Sequence, residues 1–220
     1  MEKTFVYEAI ENFCSADSKY LYSLLASISN VDSSYIHYDG YKNEEEHVER
    51  VFAYELYRQW CNHPIINNNK YLVVNAEIPK QLIGDAQKTI PLMYPDMVLH
   101  YGQNKYKGNL IVCEIKRRGY AYQNTDKVRD DFIKLNYYLS NELKVKANNK
   151  NWEPFNIGVF IMTDSEDSII PLSVSNIKTC LEKHLEEIKI IDSAIMSKIV
   201  CVVYNGRELK YDTLFNMINE

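Results

Sequence analysis

Two short apolar segments, each with charged residues at one end, constrain the fold of this chain more than any other feature. Residues 94–99 contain Asp96, and residues 109–116 contain Glu114 and Lys116. Both segments are mainly aliphatic over a length that is typical of strands. The sequence therefore predicts two strands of a sheet with acidic and basic side chains at their ends.

The second segment predicts which side chains share a face of that sheet. Side chains alternate across a strand, so Glu114 and Lys116 share one face while Cys113 and Ile115 point to the other, toward a core. With Asp96 nearby, two carboxylates and one ammonium group would converge. Carboxylate oxygens suit a hard cation such as Mg²⁺, which can hold a phosphate and activate a water molecule, and a nearby lysine can orient that water. This combination predicts phosphodiester hydrolysis.

An acidic residue, any residue and then lysine is a weak pattern by itself, because it occurs five times in the chain. The other four matches begin at Asp17, Glu142, Glu187 and Glu208. The first three lie in segments predicted as helices or helix ends, where residues two apart point about 200° apart. Glu208 follows a strand-like run and an Asn205-Gly206 hairpin turn, but no strand ending in an acidic residue precedes it. The alternative for Glu114 itself is a strand that ends in solvated charges.

At these residues the sequence resembles the PD-(D/E)XK nuclease superfamily, also called restriction-endonuclease-like. The matching residues are Pro95-Asp96, the eighteen-residue step from Asp96 to Glu114, and Glu114-Ile115-Lys116. The resemblance covers residues 44–164. It implies an α/β core and a nuclease that depends on Mg²⁺ or Mn²⁺. Because the superfamily includes restriction, repair, recombination and transposon enzymes, it indicates a chemistry rather than a biological pathway.

The predicted order of elements is also that of the superfamily core, αβββαβ. Periodicity predicts a helix, three strands, a helix and a strand at residues 44–60, 71–78, 94–100, 110–116, 126–143 and 156–163. We therefore expect one α/β domain over residues 1–220, of restriction-endonuclease-like fold, with a central mixed sheet flanked by helices. Residues 1–43 are predicted to form a helical cap, with apolar spacing at Phe5–Phe13 and Tyr20–Ile28. Residues 165–220 are predicted to form a helix-strand-helix extension, with a helix at 175–191 and a strand at 198–204.

Composition predicts a soluble protein in a reducing compartment. No segment approaches the roughly 18 consecutive apolar residues of a transmembrane helix, and an N-terminus with Glu2, Glu8 and Glu11 is not typical of a signal peptide. Five cysteines without Cys-x-x-Cys spacing favour neither a disulfide framework nor a zinc site. We expect a cytoplasmic protein without membrane association.

The net charge of −5 is unusual for a nucleic-acid-binding protein, but its distribution is uneven. Residues 103–134 hold eight basic and four acidic residues, whereas residues 1–50 hold ten acidic and four basic ones. A basic strip beside the candidate site is therefore expected to contact nucleic acid, and its members are Lys105, Lys107, Arg117, Arg118, Lys127 and Arg129. Tyr120 and Tyr122 could stack on bases there, although 18 tyrosines in the chain weaken this inference.

The resemblance assigns roles to individual residues. Asp96 and Glu114 would ligate the metal, with the Ile115 carbonyl as a third ligand, and Lys116 would position the attacking water. Replacing Asp96 or Lys116 by alanine is expected to abolish cleavage with the fold intact. Glu49, in the first core helix, would support a second metal ion, with a surface glutamate as the alternative.

Other residues have open roles. Glu77 and Lys134 are supporting candidates, with a solvated glutamate and a solvated lysine as the respective alternatives. His100 ends the Asp96 strand, where a hydrogen-bonded edge histidine is expected. No G-x-S-x-G or G-x-x-x-x-G-K-[S/T] sequence is present, so serine-hydrolase chemistry and a nucleotide cofactor are not expected.

Two further functions stay open at this point. One is a non-catalytic module of the same fold that binds nucleic acid or protein, which the acidic net charge favours. The other is a nuclease subunit that is active only within a complex. DNA is the expected partner, with RNA not excluded, and a homodimer or a partner subunit is compatible with the sequence.

Overall fold

A computed structural model describes residues 17–36, 45–76, 95–102, 108–142, 153–164 and 171–219. For residues 45–48 it describes the backbone and not the side chains. Its strands are β1 (Leu72–Ala76), β2 (Met97–Tyr101), β3 (Asn109–Arg117), β4 (Phe155–Thr163), β5 (Ile199–Tyr204) and β6 (Leu209–Thr213). Its α-helices are α1 (Ser18–Ser29), α2 (Glu45–Asn62), α3 (Pro64–Asn67), α4 (Arg118–Gln123), α5 (Thr125–Leu139), α6 (Ser175–Leu181), α7 (Leu185–Ile188), α8 (Ser193–Met196) and α9 (Leu214–Asn219). Two 3₁₀ turns lie at Ser33–Tyr35 and Glu182–His184.

The six strands form one mixed sheet in the order β1-β2-β3-β4-β5-β6. The pairs β1–β2, β2–β3 and β5–β6 are antiparallel, whereas β3–β4 and β4–β5 are parallel. The central strands are almost wholly buried, as is typical of parallel strands covered by helices on both faces. The predicted α/β class and the predicted mixed sheet flanked by helices are confirmed.

Helices cover the two faces of the sheet with separate apolar clusters. On one face α1 and α2 pack against inward side chains of β3, including Cys113 and Ile115. On the other face α5, α6 and α9 pack against Val112 of the same strand and against β4 and β5. The alternation predicted for β3 is therefore correct, and Glu114 lies on the α5 side of the sheet.

The helix α2 shows why the sequence folds as predicted in this region. Phe52, Leu56 and Trp60 recur every four residues and are each fully buried against the sheet. The helix ends at Asn62, and His63 begins α3 by accepting a hydrogen bond from the Ile65 N–H at its Nδ1. The predicted order of helix, three strands, helix and strand is present, with α3 inserted before β1 and α4 inserted before α5.

Two features of the C-terminal part differ from the prediction. The helix expected at 175–191 is interrupted by the 3₁₀ turn, where the nearly buried His184 ring lies 3.2 Å from Asp126 and 3.4 Å from Glu187. The extension also contains a second strand, β6, which pairs with β5 through the turn at Gly206, whose φ is 90°. No apolar run marks β6, because its side chains are half-buried or exposed.

Several predictions fall outside the residues that the structure describes. These are the helix at Phe5–Phe13 and the residues Glu77, Lys105 and Lys107. Within the described ranges, no helix combines the length and apolar character that a membrane crossing requires.

Candidate active site at the carboxyl end of β3

Antiparallel pairing brings Asp96 beside Glu114 and Lys116. Asp96 directly precedes β2, and its backbone N–H donates to the Cys113 carbonyl at 3.1 Å. Its Oδ2 accepts a hydrogen bond from the Ile115 N–H at 2.7 Å, which fixes the carboxylate against β3. Burial raises the pKa of Asp96 above its usual value, although the nearby Lys116 lowers it in part. The convergence predicted from the sequence is present.

Glu114 is a buried acid with an incomplete set of partners. Its side chain is 1% exposed, and its Oε2 lies 3.6 Å from the Lys134 Nζ. No described residue donates a hydrogen bond to its Oε1. Burial raises the pKa of Glu114 well above its usual value, and the neighbouring carboxylates of Asp131 and Asp96 raise it further. The raised pKa means that the ionised carboxylate is not fully compensated by the surrounding groups and would be stabilised by further positive charge.

The Lys116 ammonium group lies at the centre of the cluster. Its Nζ lies 3.2 Å from Asp131 Oδ2 and 3.9 Å from Glu49 Oε2, and it donates to the Ile115 carbonyl at 3.0 Å. Burial lowers the pKa of this lysine, but the surrounding carboxylates outweigh burial and raise it above its usual value. Lys116 is therefore an ammonium ion at neutral pH. The Ile115 carbonyl, expected to bind metal, accepts a hydrogen bond from this lysine.

Glu49 reaches the cluster from α2, on the opposite face of the sheet. Its Oε1 accepts a hydrogen bond from the Arg117 N–H at 3.0 Å, at the last residue of β3. Its side chain is 18% exposed, and burial raises its pKa to about 7 against the opposing effect of Lys116. The structure thus places Glu49 with Lys116, as the ligand hypothesis requires.

The helix α5 adds Asp131 and Lys134 to the cluster. Asp131 is 2% exposed, and its Oδ1 lies 2.5 Å from the Lys134 Nζ one helical turn away. Its Oδ2 faces Lys116, so Asp131 bridges the two ammonium groups. The sequence predicts Lys134 as a supporting residue of the site, but it predicts no role for Asp131. The available clue was its spacing from Val128 and Leu135, which belong to the buried stripe of α5.

Tyr138 is a second residue that the sequence analysis missed. It lies one turn beyond Lys134 and is 1% exposed, and its hydroxyl has no hydrogen-bond partner among the described residues. Burial raises its pKa, with Glu114 as the next largest contribution. The Tyr138 hydroxyl, a donor, and the Glu114 Oε1, an acceptor, are thus both buried without a hydrogen-bond partner among the described residues.

The cluster contains more carboxyl groups than ammonium groups. Its carboxylates belong to Glu49, Asp96, Glu114 and Asp131, and its ammonium groups belong to Lys116 and Lys134. If all six groups are ionised, the formal balance is four negative charges against two positive ones. A group of three or more His, Cys, Asp or Glu side chains already arranged around a metal position is absent from the described ranges. Oxygen donors with this charge excess nevertheless fit a hard divalent cation by donor type and by charge.

Comparisons with known proteins give no match. No protein-family model, curated protein or solved structure matches this chain.

The predicted basic strip is only partly open to solvent. Arg118 pairs with Asp164 at 2.6 Å and its side chain is 11% exposed, while Arg129 lies within 3.6 Å of Asp126, Asp130 and Glu187. Lys127 is exposed, and Arg117 is half-buried. Protein carboxylates therefore already neutralise two of the four strip residues that the structure describes.

His100 has the hydrogen-bonded arrangement expected for an edge histidine. Its Nδ1 lies 2.9 Å from the Tyr101 carbonyl, which can only accept, so Nδ1 is the protonated nitrogen. Its Nε2 then accepts from the Asn75 amide at 2.7 Å. Both ring nitrogens are therefore used within the sheet.

Glu49 predicts a pH dependence of stability in the metal-free protein. Because its pKa rises from 4.5 in the unfolded chain to about 7 in the fold, its favourable contribution is complete below pH 4.5 and is lost as the pH rises through 7. Relative to wild type, Glu49→Gln should therefore gain about 3 kcal/mol in free energy of unfolding between pH 4.5 and pH 8. Urea unfolding in EDTA across this range measures the difference.

The matched control is Glu182→Gln, which alters an exposed carboxylate in the 3₁₀ turn and should give a flat difference. A Glu49→Gln difference that does not change with pH would show that Glu49 is not buried in the cluster.

Proposed function

We propose that this protein is a metal-dependent nuclease that hydrolyses phosphodiester bonds in DNA. The observation that supports it most is the buried cluster in which Asp96, Glu114 and Lys116 meet with an excess of acidic over basic side chains. A divalent cation would neutralise that excess, and a bound phosphate would bring negative charge next to the two ammonium groups. Buried polar groups are usually hydrogen-bonded, and Glu114 Oε1 has no hydrogen-bond partner among the described residues.

We further propose that the core is restriction-endonuclease-like. The order of α2, the three antiparallel strands β1 to β3, α5 and the parallel strand β4 agrees with the αβββαβ core that the sequence resembles. In this fold the acid before β2 and the acid and lysine of β3 form the site, and here these are Asp96, Glu114 and Lys116.

The proposed roles follow from the position of each side chain. Asp96 and Glu114 would hold Mg²⁺ or Mn²⁺, with the Ile115 carbonyl as a further donor and Glu49 available to a second ion. Such an ion, when bound, polarises a phosphoryl oxygen and lowers the pKa of a bound water. Each of these side chains already lies in or beside the cluster.

Lys116 acts in this proposal as a donor and a charge, not as a base. Because the surrounding carboxylates raise its pKa, it keeps its proton at neutral pH. It can therefore donate a hydrogen bond that orients the attacking water and can stabilise negative charge that develops on the phosphate. Asp131 keeps Lys116 and Lys134 beside the reacting phosphate by contacting both.

One observation favours the non-catalytic alternative. The Lys116 ammonium already occupies the centre of the carboxylates, and the described residues contain no preassembled group of metal ligands. A module that binds a partner without cleavage would need no metal there. The two functions therefore differ in whether a divalent cation binds and whether DNA is cut.

The deciding experiment incubates the protein with supercoiled plasmid, linear duplex and single-stranded DNA in Mg²⁺, Mn²⁺ or EDTA. We expect cleavage only with metal, and we expect Mg²⁺ to raise the melting temperature of the wild type. Glu114→Gln should lose both effects, whereas Glu182→Gln should keep them. A Glu114-dependent shift in melting temperature without cleavage would favour the binding module or the partner-dependent subunit. No shift and no cleavage would contradict the metal site.

A further inference from the structure

Three buried polar atoms in and beside the cluster have no hydrogen-bond partner in the part of the chain that the structure describes. They are Glu114 Oε1, Asp131 Oδ2 and the Tyr138 hydroxyl oxygen, and each of these residues is at most 2% exposed. Asp131 Oδ2 faces the Lys116 ammonium at 3.2 Å, but without the geometry of a hydrogen bond. Buried polar atoms that no protein group serves are usually hydrogen-bonded to an ordered water. These three atoms therefore indicate a buried water site.

The packing of α5 on β3 places the three residues together. Asp131 and Tyr138 are seven residues apart, which is two helical turns, so they share one side of α5. Between them, the Lys134 Nζ lies 2.5 Å from Asp131 Oδ1 and 3.6 Å from Glu114 Oε2, so the two carboxylates are neighbours. Tyr138 packs in the same apolar cluster as Val112, which shares a face of β3 with Glu114. Aromatic side chains on a helix lean toward its N-terminus, which directs the Tyr138 hydroxyl toward Lys134.

The donor and acceptor types of the three atoms match a single water molecule. Tyr138 interacts electrostatically with Glu114 and Asp131, and burial raises the pKa of its hydroxyl, which therefore keeps its proton and can donate. The hydroxyl bonds neither carboxylate oxygen directly. A water between them would accept from the hydroxyl and donate its two protons to Glu114 Oε1 and Asp131 Oδ2. Three hydrogen bonds are the usual number for a buried water.

We propose that Tyr138 positions the Glu114 carboxylate for the metal ion through a buried water that also binds Asp131. This inference rests on the proposed nuclease function and adds a residue to its metal site. Lys134 holds one oxygen of the Glu114 carboxylate and the water holds the other, so the plane of the carboxylate is fixed. Each carboxylate oxygen has two lone pairs, so Oε1 keeps one for the metal. Tyr138 is a positioning residue, because it touches neither metal nor substrate.

Tyr138→Phe tests the hydrogen bond in the metal-free protein. The variant deletes only the hydroxyl and keeps the ring, whose centroid lies 6.1 Å from that of Phe155. Loss of the donor leaves the water and two buried carboxylates with one bond fewer, so the melting temperature in EDTA at pH 8 should fall by about 3 °C. A hydroxyl without any partner predicts the opposite sign, because its removal relieves the burial of an unpaired polar group.

A double-mutant cycle with Glu114→Gln identifies the acceptor. Glutamine keeps an oxygen but loses the charge, and hydrogen bonds to a charged acceptor are roughly twice as strong as neutral ones. In the Glu114→Gln background, Tyr138→Phe should therefore lower the melting temperature by about half as much as it does in the wild type. Thermal unfolding of the four proteins in EDTA gives the cycle.

Metal affinity is the readout that a purely structural role would not change. Groups that orient a metal ligand through hydrogen bonds typically contribute 10-fold to 100-fold to metal affinity, so Tyr138→Phe should weaken Mn²⁺ binding by about 10-fold. Titration calorimetry with Mn²⁺ alone measures this. The matched control is Tyr54→Phe, which deletes a hydroxyl from a residue of α2 that is 53% exposed. It should equal the wild type in melting temperature and in Mn²⁺ affinity.

Three results would overturn the inference. They are a Tyr138→Phe variant that melts at or above the wild-type temperature, one whose Mn²⁺ affinity is undiminished, and an equal decrease in melting temperature in both backgrounds of the cycle. The last result would mean that the hydroxyl has a partner other than Glu114.

Failure of this inference can be distinguished from failure of the nuclease assignment. A wild-type protein that neither binds Mn²⁺ nor cuts DNA overturns the nuclease, while a Glu114-dependent effect of Tyr138→Phe in EDTA still supports the link between the two side chains. Metal-dependent cleavage by a wild type whose melting temperature and Mn²⁺ affinity do not depend on the Tyr138 hydroxyl overturns the link and leaves the nuclease supported.

Discussion

Asp96→Asn should reduce metal-dependent cleavage by about 10³-fold while leaving the fold intact. Asparagine keeps an oxygen that can accept the Ile115 N–H, so the 2.7 Å hydrogen bond to β3 is retained. What is lost is one negative charge of the proposed metal site. Metal coordination supplies several kcal/mol of transition-state stabilisation, and each 1.36 kcal/mol corresponds to a factor of ten in rate. Initial rates of plasmid cleavage at saturating Mg²⁺ measure the effect.

Asp96→Ala separately tests the contribution of the Asp96 side chain to the stability of the fold. It removes the charge and also leaves the Ile115 N–H without its acceptor, which should cost about 1 to 3 kcal/mol of stability. The two variants should therefore be equally inactive, but only the alanine variant should unfold at lower urea concentration. Cleavage at the wild-type rate by Asp96→Asn would contradict the assignment of Asp96 as a ligand.

The parts of the site that the sequence predicts are those governed by strand periodicity and pairing. Alternation along β3 separates Glu114 from Cys113, and antiparallel pairing with β2 accounts for Asp96 across a separation of eighteen residues. Helical spacing also predicts that Glu49 lies next to the buried stripe of α2, and in the structure it lies beside the cluster. These relations depend on local geometry, which a single sequence reveals.

The residues that the sequence does not reveal depend on contacts between distant elements. Asp131 belongs to a charged run that resembles a solvated helix surface, and only the packing of α5 on β3 shows that it lies between two lysines. Tyr138 is one of 18 tyrosines, and nothing local distinguishes it as buried beside Glu114. Arg118 is predicted to bind nucleic acid, but it pairs with Asp164, the residue that follows β4. The strand β6 lacks an apolar run because its side chains are not buried.

Lys116→Met should abolish cleavage and also destabilise the metal-free protein by about 3 kcal/mol. This differs from the expectation of an intact fold that the sequence alone suggests. The ammonium contacts Asp131 at 3.2 Å and Glu49 at 3.9 Å, and the lysine side chain is only 13% exposed. Removing one partner of a buried ion pair leaves the others uncompensated, which typically costs about 3 to 5 kcal/mol. The formal charge excess of the cluster rises from two to three.

The pH dependence identifies the cause of that loss. At pH 5, below the Glu49 pKa of about 7, protonation of that carboxyl relieves part of the repulsion, so the stability gap should be smaller than at pH 8. Urea unfolding in EDTA at the two pH values gives both gaps. Lys183→Met, which replaces an exposed lysine of the 3₁₀ turn, should show no gap at either pH.

Magnesium adds an independent prediction for the same variant. Because a divalent cation supplies the positive charge that Lys116 no longer provides, Mg²⁺ should raise the stability of Lys116→Met by more than it raises that of the wild type, without restoring cleavage. Rescue of stability without rescue of activity would separate the electrostatic role of this ammonium from its role toward the water and the phosphate. A stability gap that is the same at pH 5, at pH 8 and with Mg²⁺ would instead mean that Lys116 stabilises the fold through packing of its aliphatic stem. That result would contradict the electrostatic role of Lys116 in the site.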